Sequence, residues 1–213
     1  MEMTDLTKLE NWDTPLFPLV VVAQAALVAP ATLRQWIVRY GDDLRLWDDG
    51  KTSNDKAEGN GLAHRFSLRT ALHIAAAARL IAKGVTVKDA YTAAINWVHI
   101  GAFDRPAVWA NEPAPELVRE PAGLFADPAW TFLIHSHGAE ARVVSVNRQA
   151  GTLPFEFSDL FATGYPVRAA PTIVFLNNID HYVRGVCQGF LRPVDHPAWD
   201  EASVEKMLGE DGE

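Results

Sequence analysis

The sequence contains a single cysteine, Cys187, and no apolar run long enough to span a bilayer. One cysteine excludes an intramolecular disulfide and every zinc motif that needs several cysteines. The longest apolar run, residues 16–30, is interrupted by Gln24 and has prolines near both ends, so it is too short for a transmembrane helix. The polar, acidic residues 1–13 do not fit a secretory signal. We therefore expect a reduced, cytoplasmic protein with no membrane partner.

Motifs typical of enzymes are also missing. The chain has no glycine-rich phosphate loop and no serine or cysteine nucleophile motif. His135 and His137 lie two residues apart, with Glu140 nearby, but a third clear metal ligand is lacking. Cys187 falls in an apolar segment with a predicted helical pattern, where a packed thiol is the expected state. The sequence therefore predicts a protein without enzymatic activity, metal or cofactor.

The charge is acidic overall and unevenly distributed. The 213 residues carry 19 basic and 27 acidic side chains, a net charge of −8. This balance argues against a protein coated by nucleic acid, but it leaves room for a local basic face. Residues 30–70 form the only region that is not acidic, with seven basic residues against six acidic ones. A contact surface for a polyanion is therefore expected within residues 30–70.

Two short helices joined by a tight turn are predicted first. Segments 18–26 and 30–40 each repeat apolar residues at i, i+3, i+4 and i+7, and a proline opens each segment. Only about three residues connect the two segments, so the helices must cross closely. Residues 41–63 are rich in turn formers and predict a long β-hairpin, in which residues 44–47 pair with residues 62–66.

Two longer helices follow the hairpin. Ser67 is a suitable N-cap for a helix over about 68–82, and Gly84 a suitable terminator. The surface of this helix is apolar except for a narrow polar stripe through Arg69, His73 and Lys83. Thr86 is the expected N-cap of the next helix, which keeps its apolar rhythm to Val98.

The second half of the chain has a different pattern. Five of the 13 prolines lie within residues 102–129, which predicts a linker anchored at Trp109. Residues 130–135, 141–146 and 172–176 have strand composition, and Asn177 or Asn178 is the expected cap of a helix from Ile179 to about Phe190. The acidic residues 200–213 are predicted to be disordered.

Several segments match one family in order and spacing. They are Val21–Ala26 and Pro30–Trp36 on either side of the turn, His64-Arg65-Phe66-Ser67-Leu68-Arg69 at the end of the hairpin, and Leu80, Gly84 and Val85–Val87 beyond it. Over roughly residues 17–98 the chain resembles the winged helix-turn-helix of MerR-type regulators. Leu27 stands where that family usually has a turn glycine, and the wing is longer and more acidic. The proline-rich linker occurs where a long dimerisation helix would follow Trp97.

The resemblance implies a DNA-binding surface. In such a module the N-terminal part of the second helix lies in the major groove. Gln35 is expected to contact adenine, Thr32 a thymine methyl or a phosphate, and Arg34 a phosphate or the wing. The full set of predicted DNA contacts is Ala31, Thr32, Arg34, Gln35 and Arg39 on the second helix, Lys51 and Lys56 at the wing tip, and Arg65 and Arg69 at the end of the wing.

The predicted fold is α+β, a MerR-like winged helix-turn-helix followed by a small α+β domain. The predicted boundaries are an N-terminal tail 1–16, a DNA-binding domain 17–101, a linker 102–129, a dimerisation or sensor domain 130–199 and a tail 200–213. The expected function is sequence-specific binding of double-stranded DNA in transcription regulation, as a homodimer formed through residues 130–199. A phage-type excisionase or small-terminase-like protein and a protein-binding adaptor are alternatives. No residue indicates a small-molecule effector.

Overall fold

The computed structural model describes residues 6, 8, 11–40, 65–102, 118–136, 141–147 and 171–191. The five helices in this part of the chain are α1 (Leu19–Ala26), α2 (Pro30–Tyr40), α3 (Leu68–Ile81), α4 (Val87–Val98) and α5 (Leu176–Leu191). The five strands are β1 (Phe17–Pro18), β2 (Arg65–Phe66), β3 (Ala129–His135), β4 (Arg142–Asn147) and β5 (Thr172–Phe175). This mixture of helices and small antiparallel sheets confirms the predicted α+β class. The predicted hairpin 41–63, Trp109 and the tail 200–213 lie outside the described residues.

The predicted N-caps of α3 and α4 are confirmed. The Ser67 hydroxyl accepts a hydrogen bond from the backbone N–H of Thr70 at 3.1 Å. The Thr86 hydroxyl accepts one from the N–H of Asp89 at 3.2 Å. Each bond satisfies one of the N–H groups that the first turn of a helix leaves without a partner. Both helices therefore begin where the local sequence predicts.

A leucine occupies the left-handed position at the end of α1. Leu27 has φ 57° and ψ 42°, its N–H donates to the Gln24 carbonyl, and the Val28 N–H donates to the Ala23 carbonyl. These two bonds form a Schellman motif, in which glycine is the preferred residue because a Cβ is crowded in this conformation. The turn therefore forms with backbone strain at Leu27.

The described residues form two antiparallel sheets. β1 pairs with β2, with Phe17 opposite Phe66. The sequence did not predict this pairing with β1, and residues 44–47, the predicted partner of this segment, lie outside the described residues. The second sheet has the strand order β4–β3–β5, and Leu133 on the central strand lies opposite both Val143 and Val174.

The start of α5 differs from the prediction. The helix begins at Leu176, directly after β5, rather than at Ile179. Asn177 is therefore inside the helix, and its side-chain oxygen accepts a hydrogen bond from the backbone N–H of Thr131 on β3 at 2.7 Å. The asparagine joins the helix to the neighbouring strand instead of capping the helix.

One hydrophobic core connects the two halves of the described chain. α3 is its centre, with eleven of its 14 residues buried, and it contacts α1, α4 and α5. Leu133, Val174 and the buried face of α5 belong to the same core. Part of the predicted linker also packs here, because Ala102 pairs with Arg119, and both Arg119 and Ala122 are buried. Described residues of both predicted domains, 17–101 and 130–199, therefore belong to one buried cluster.

Candidate nucleic-acid interface

α2 is attached to the rest of the protein along one face. Leu33 is the only fully buried residue of its eleven, while Trp36, Ile37 and Tyr40 pack in part against the core. The Trp36 ring meets the Tyr91 ring of α4 edge to face, with centroids 6.3 Å apart. These four residues repeat at helical spacing, so the opposite face of α2 points away from the core.

The axis of α2 makes a sharp angle with that of α1. The angle is 104°, and residues 27–29 form the connection. Helix-turn-helix units have crossing angles of about 90–120° and connections of three or four residues.

Among the described residues, no single helix is long and apolar enough to cross a membrane. Only α1 and α2 taken together would meet that test, by length and composition.

The outward face of α2 has an ordered arrangement of side chains. Ala31, Gln35 and Val38 lie along its centre, because four and three residues are close to one helical turn. Arg34 and Arg39 lie on opposite sides of this line. All five residues are exposed, and Val38 is 82% exposed. We call these five residues the α2 outer face.

The α2 outer face is cationic. Arg34 and Arg39 are its charged residues, and no aspartate or glutamate occurs in the sequence between Asp13 and Asp42. Within residues 14–41 the arginines are therefore the only charged side chains, and such a local concentration of positive charge attracts phosphate even on a protein with a net charge of −8. The predicted contact residues Ala31, Arg34, Gln35 and Arg39 therefore lie together on one exposed surface, and Thr32 is partly buried at its edge.

The two arginines predicted at the end of the wing have structural partners. Arg65 donates to the Leu16 carbonyl at 3.3 Å and so holds β2 beside the segment that precedes β1. Arg69 forms an ion pair with Asp13 and donates to the Val98 carbonyl at 2.9 Å and to the Pro121 carbonyl at 3.3 Å. Arg69 thereby joins three segments to the start of α3. Lys51 and Lys56 lie outside the described residues.

A buried histidine lies beneath the attachment of α2. His73 was predicted on a polar stripe, but it is 2% exposed. Its Nε2–H donates to the Tyr91 carbonyl at 2.9 Å, and its Nδ1 accepts from Nε2 of His99 at 3.3 Å. Burial, followed by the proximity of His99, lowers the pKa of His73 to about 4. His73 is therefore neutral at pH 7 and serves as a hydrogen-bonded core residue.

Arg119, which the sequence placed in the linker, closes the C-terminal end of α4. It donates to the Trp97 carbonyl at 2.9 Å and to the Asn96 carbonyl at 2.7 Å. Burial lowers the pKa of Arg119 to about 10, so the guanidinium stays charged at pH 7. Its positive charge complements the partial negative charge at a helix C-terminus. This role is structural.

A second polar group lies between the N-terminal segment and α5. Arg184 pairs with Asp180 at 2.7 Å, donates to the Leu6 carbonyl at 3.1 Å and stacks 4.2 Å from the Trp12 ring centroid. Burial raises the pKa of Asp180, while Arg184 opposes that shift. An open groove of about 490 Å³ lies beside this pair. The Leu6 carbonyl is thus hydrogen-bonded to a side chain of α5.

Of the two histidines considered as metal ligands, one lies among the described residues. His135 is half-buried on β3, whereas His137 and Glu140 lie outside the described residues. In the described ranges, no group of three histidine, cysteine, aspartate or glutamate side chains is placed to hold a metal ion. Cys187 is fully buried, and burial raises the pKa of its thiol.

Comparisons with known proteins give no relative. No protein-family model, curated protein or solved structure matches the chain.

Proposed function

We propose that the protein binds double-stranded DNA through the α2 outer face and acts as a transcription regulator of the MerR-like helix-turn-helix type. The observation that carries this proposal is the position of α2. It crosses α1 at 104° after a three-residue turn and exposes Arg34 and Arg39 on its outer face. A helix of this kind can enter a major groove about 12 Å wide, since an α-helix with side chains is about 10–12 Å across.

The arrangement of side chains fits the two kinds of contact that a DNA-binding helix makes. Arg34 and Arg39 flank the face, where phosphates of the two strands border the groove. Gln35 lies on the central line and can form a bidentate pair with N6 and N7 of adenine. Leu27, Trp36 and the core contacts of α2 hold the helix at its angle. Phosphate contacts would thus position the helix while Gln35 supplies sequence preference.

The regulator would act as a homodimer, with residues 130–199 as the proposed dimerisation region. β5 is at one edge of the described three-stranded sheet, and α5 follows it directly. A second copy would place two α2 helices on one duplex, which raises both affinity and specificity because each helix contacts only a few base pairs.

Selection from a random duplex pool tests this proposal. The full-length protein should enrich a repeated or palindromic motif at low salt, and its affinity should fall steeply as salt rises because phosphate binding releases counterions. The test variant is R34A/R39A, for which we expect a loss of affinity of at least tenfold, since a hydrogen bond to a charged group such as a phosphate contributes roughly 1.5–3 kcal/mol.

The matched control is K83A/K88A, which removes the same charge from exposed positions outside the α2 outer face. It should keep most of the affinity. Equal losses in both variants would show that binding depends on total charge alone, and the proposal would be wrong. Absence of any enriched sequence at low salt would also overturn it.

A protein-binding adaptor is the second candidate. The observation that favours it is the exposure of two apolar side chains, Leu27 at the turn, which is 53% exposed, and Val38 in the last turn of α2, which is 82% exposed. Binding to a protein partner through these residues need not weaken with salt, so the salt dependence of binding separates the two functions.

A further inference from the structure

We propose that Val38 contacts the C5-methyl group of a thymine in the major groove, beside an adenine bound by Gln35. This inference rests on the proposed function and adds the base composition of the site. It starts from an exposed side chain to which the sequence pattern assigned no role.

Val38 is the most exposed large apolar side chain in the described part of the chain, at 82%. A single exposed valine on a protein surface requires no explanation by itself. The position of Val38 is nevertheless informative. Val38 lies on the central line of the cationic face, with Gln35 one turn before it and the two arginines on either side. An apolar side chain at the centre of a cationic face is complementary to a partner surface that presents an apolar group between negative charges.

The spacing also fits base recognition. Ala31, Arg34, Gln35 and Val38 are at positions i, i+3, i+4 and i+7 of α2. Recognition helices of homeodomains read the major groove with residues at the same spacing, i, i+3, i+4 and i+7. This spacing keeps side chains over two helical turns on one surface, where they can follow successive base pairs.

The chemistry of the groove selects the ligand. Thymine is the only standard base that presents a methyl group in the major groove, and adenine presents the donor and acceptor that a glutamine amide matches. Three residues of helix rise about 4.5 Å, comparable with the 3.4 Å between stacked base pairs. Gln35 and Val38 can therefore contact adjacent base pairs, one by hydrogen bonds and one by apolar contact.

The test removes a single methyl group from the DNA. The duplex selected by the wild-type protein is resynthesised with deoxyuridine in place of each thymine in turn, and affinities are measured by fluorescence anisotropy. One position should lose about fourfold in affinity, since burial of one methyl contributes roughly 0.8 kcal/mol. Val38→Ala should bind the unmodified duplex more weakly and should be insensitive to deoxyuridine at that position.

The outcomes distinguish the inference from the proposed function. If the protein selects DNA but no deoxyuridine position weakens binding, or if Val38→Ala keeps the sensitivity of the wild type, the contact proposed for Val38 is wrong and DNA binding stands. If no duplex is selected, DNA binding itself is overturned. Val38→Thr is the shape-matched control, which keeps one methyl and should retain part of the effect. Thermal unfolding of each variant confirms that the exposed substitution leaves the fold intact.

Discussion

α2 and α3 are helices of comparable length in one molecule, and they are stabilised in opposite ways. α3 begins at the Ser67 cap and buries eleven of its 14 residues, whereas α2 follows a strained leucine turn and buries one of its eleven. Substitutions in α3 should therefore lower the stability of the fold through lost packing. Substitutions on the outer face of α2 should leave stability nearly unchanged and affect the binding of a partner instead.

The largest expected effect is the loss of a core side chain in α3. Leu72 is fully buried, so Leu72→Ala should lower the free energy of unfolding by about 3–5 kcal/mol through lost burial and a residual cavity. Val38→Ala in α2 should change it by less than about 0.5 kcal/mol. Urea denaturation measures both. Similar losses for the two substitutions would remove the contrast between the helices.

The buried histidine of α3 predicts a dependence of stability on pH. The pKa of His73 is lowered in the folded protein from 6.5 to about 4, so between these values the unfolded chain binds the proton more readily. Stability from this group is fully present above pH 6.5 and falls by about 3 kcal/mol as the pH decreases to 4.

The variant His73→Gln keeps an amide donor for the Tyr91 carbonyl but has no titrating group. Its unfolding free energy should show a smaller decrease between pH 6.5 and 4 than that of the wild type, which stepwise urea titrations can measure. An unchanged pH profile in the variant would assign the dependence to other groups.

Two predicted DNA-contact arginines should separate by their effects. Arg69→Ala removes hydrogen bonds to Asp13, Val98 and Pro121, so it should cost about 2 kcal/mol of stability. Arg34→Ala, on the exposed face, should cost less than about 0.5 kcal/mol and weaken DNA binding instead. Thermal unfolding measures the stability of both variants, and fluorescence anisotropy measures their DNA binding. Equal effects of the two substitutions on stability and on binding would contradict this prediction.

The smallest predicted effect is a gain of stability at the turn before α2. Leu27→Gly relieves the left-handed backbone strain and should raise the unfolding free energy by about 1 kcal/mol. Leu27→Ala is the control, because it shortens the side chain but keeps the Cβ that causes the strain. If glycine is no more stable than alanine at position 27, the turn is not strained.

Local patterns predicted the elements whose causes are local. α2 runs from Pro30 to Tyr40 as its periodicity and opening proline indicate, and Ser67 and Thr86 cap the helices that follow them. The four exposed members of the predicted contact set on α2 also follow from periodicity, because the core face determines the opposite face.

Features that depend on distant partners were not predictable in this way. β2 pairs with β1 because folding brings Phe17 opposite Phe66, which no local pattern encodes. The sequence pattern placed His73 on a polar stripe, but in the fold it is buried and hydrogen-bonded to the Tyr91 carbonyl and to His99. Arg119 and Asn177 were likewise assigned to a linker and a cap, and they serve instead to close α4 and to join α5 to β3.

The sequence by itself determined the local elements of this protein: the helices around the first turn, the caps and the cationic, acid-free segment of α2. These depend on neighbours within a few residues, so spacing and residue type suffice. Only the tertiary structure decided which polar residues are buried and which strands pair. Those outcomes depend on contacts between segments distant in the chain, where a buried polar group is stable only when folding supplies its hydrogen-bond partner.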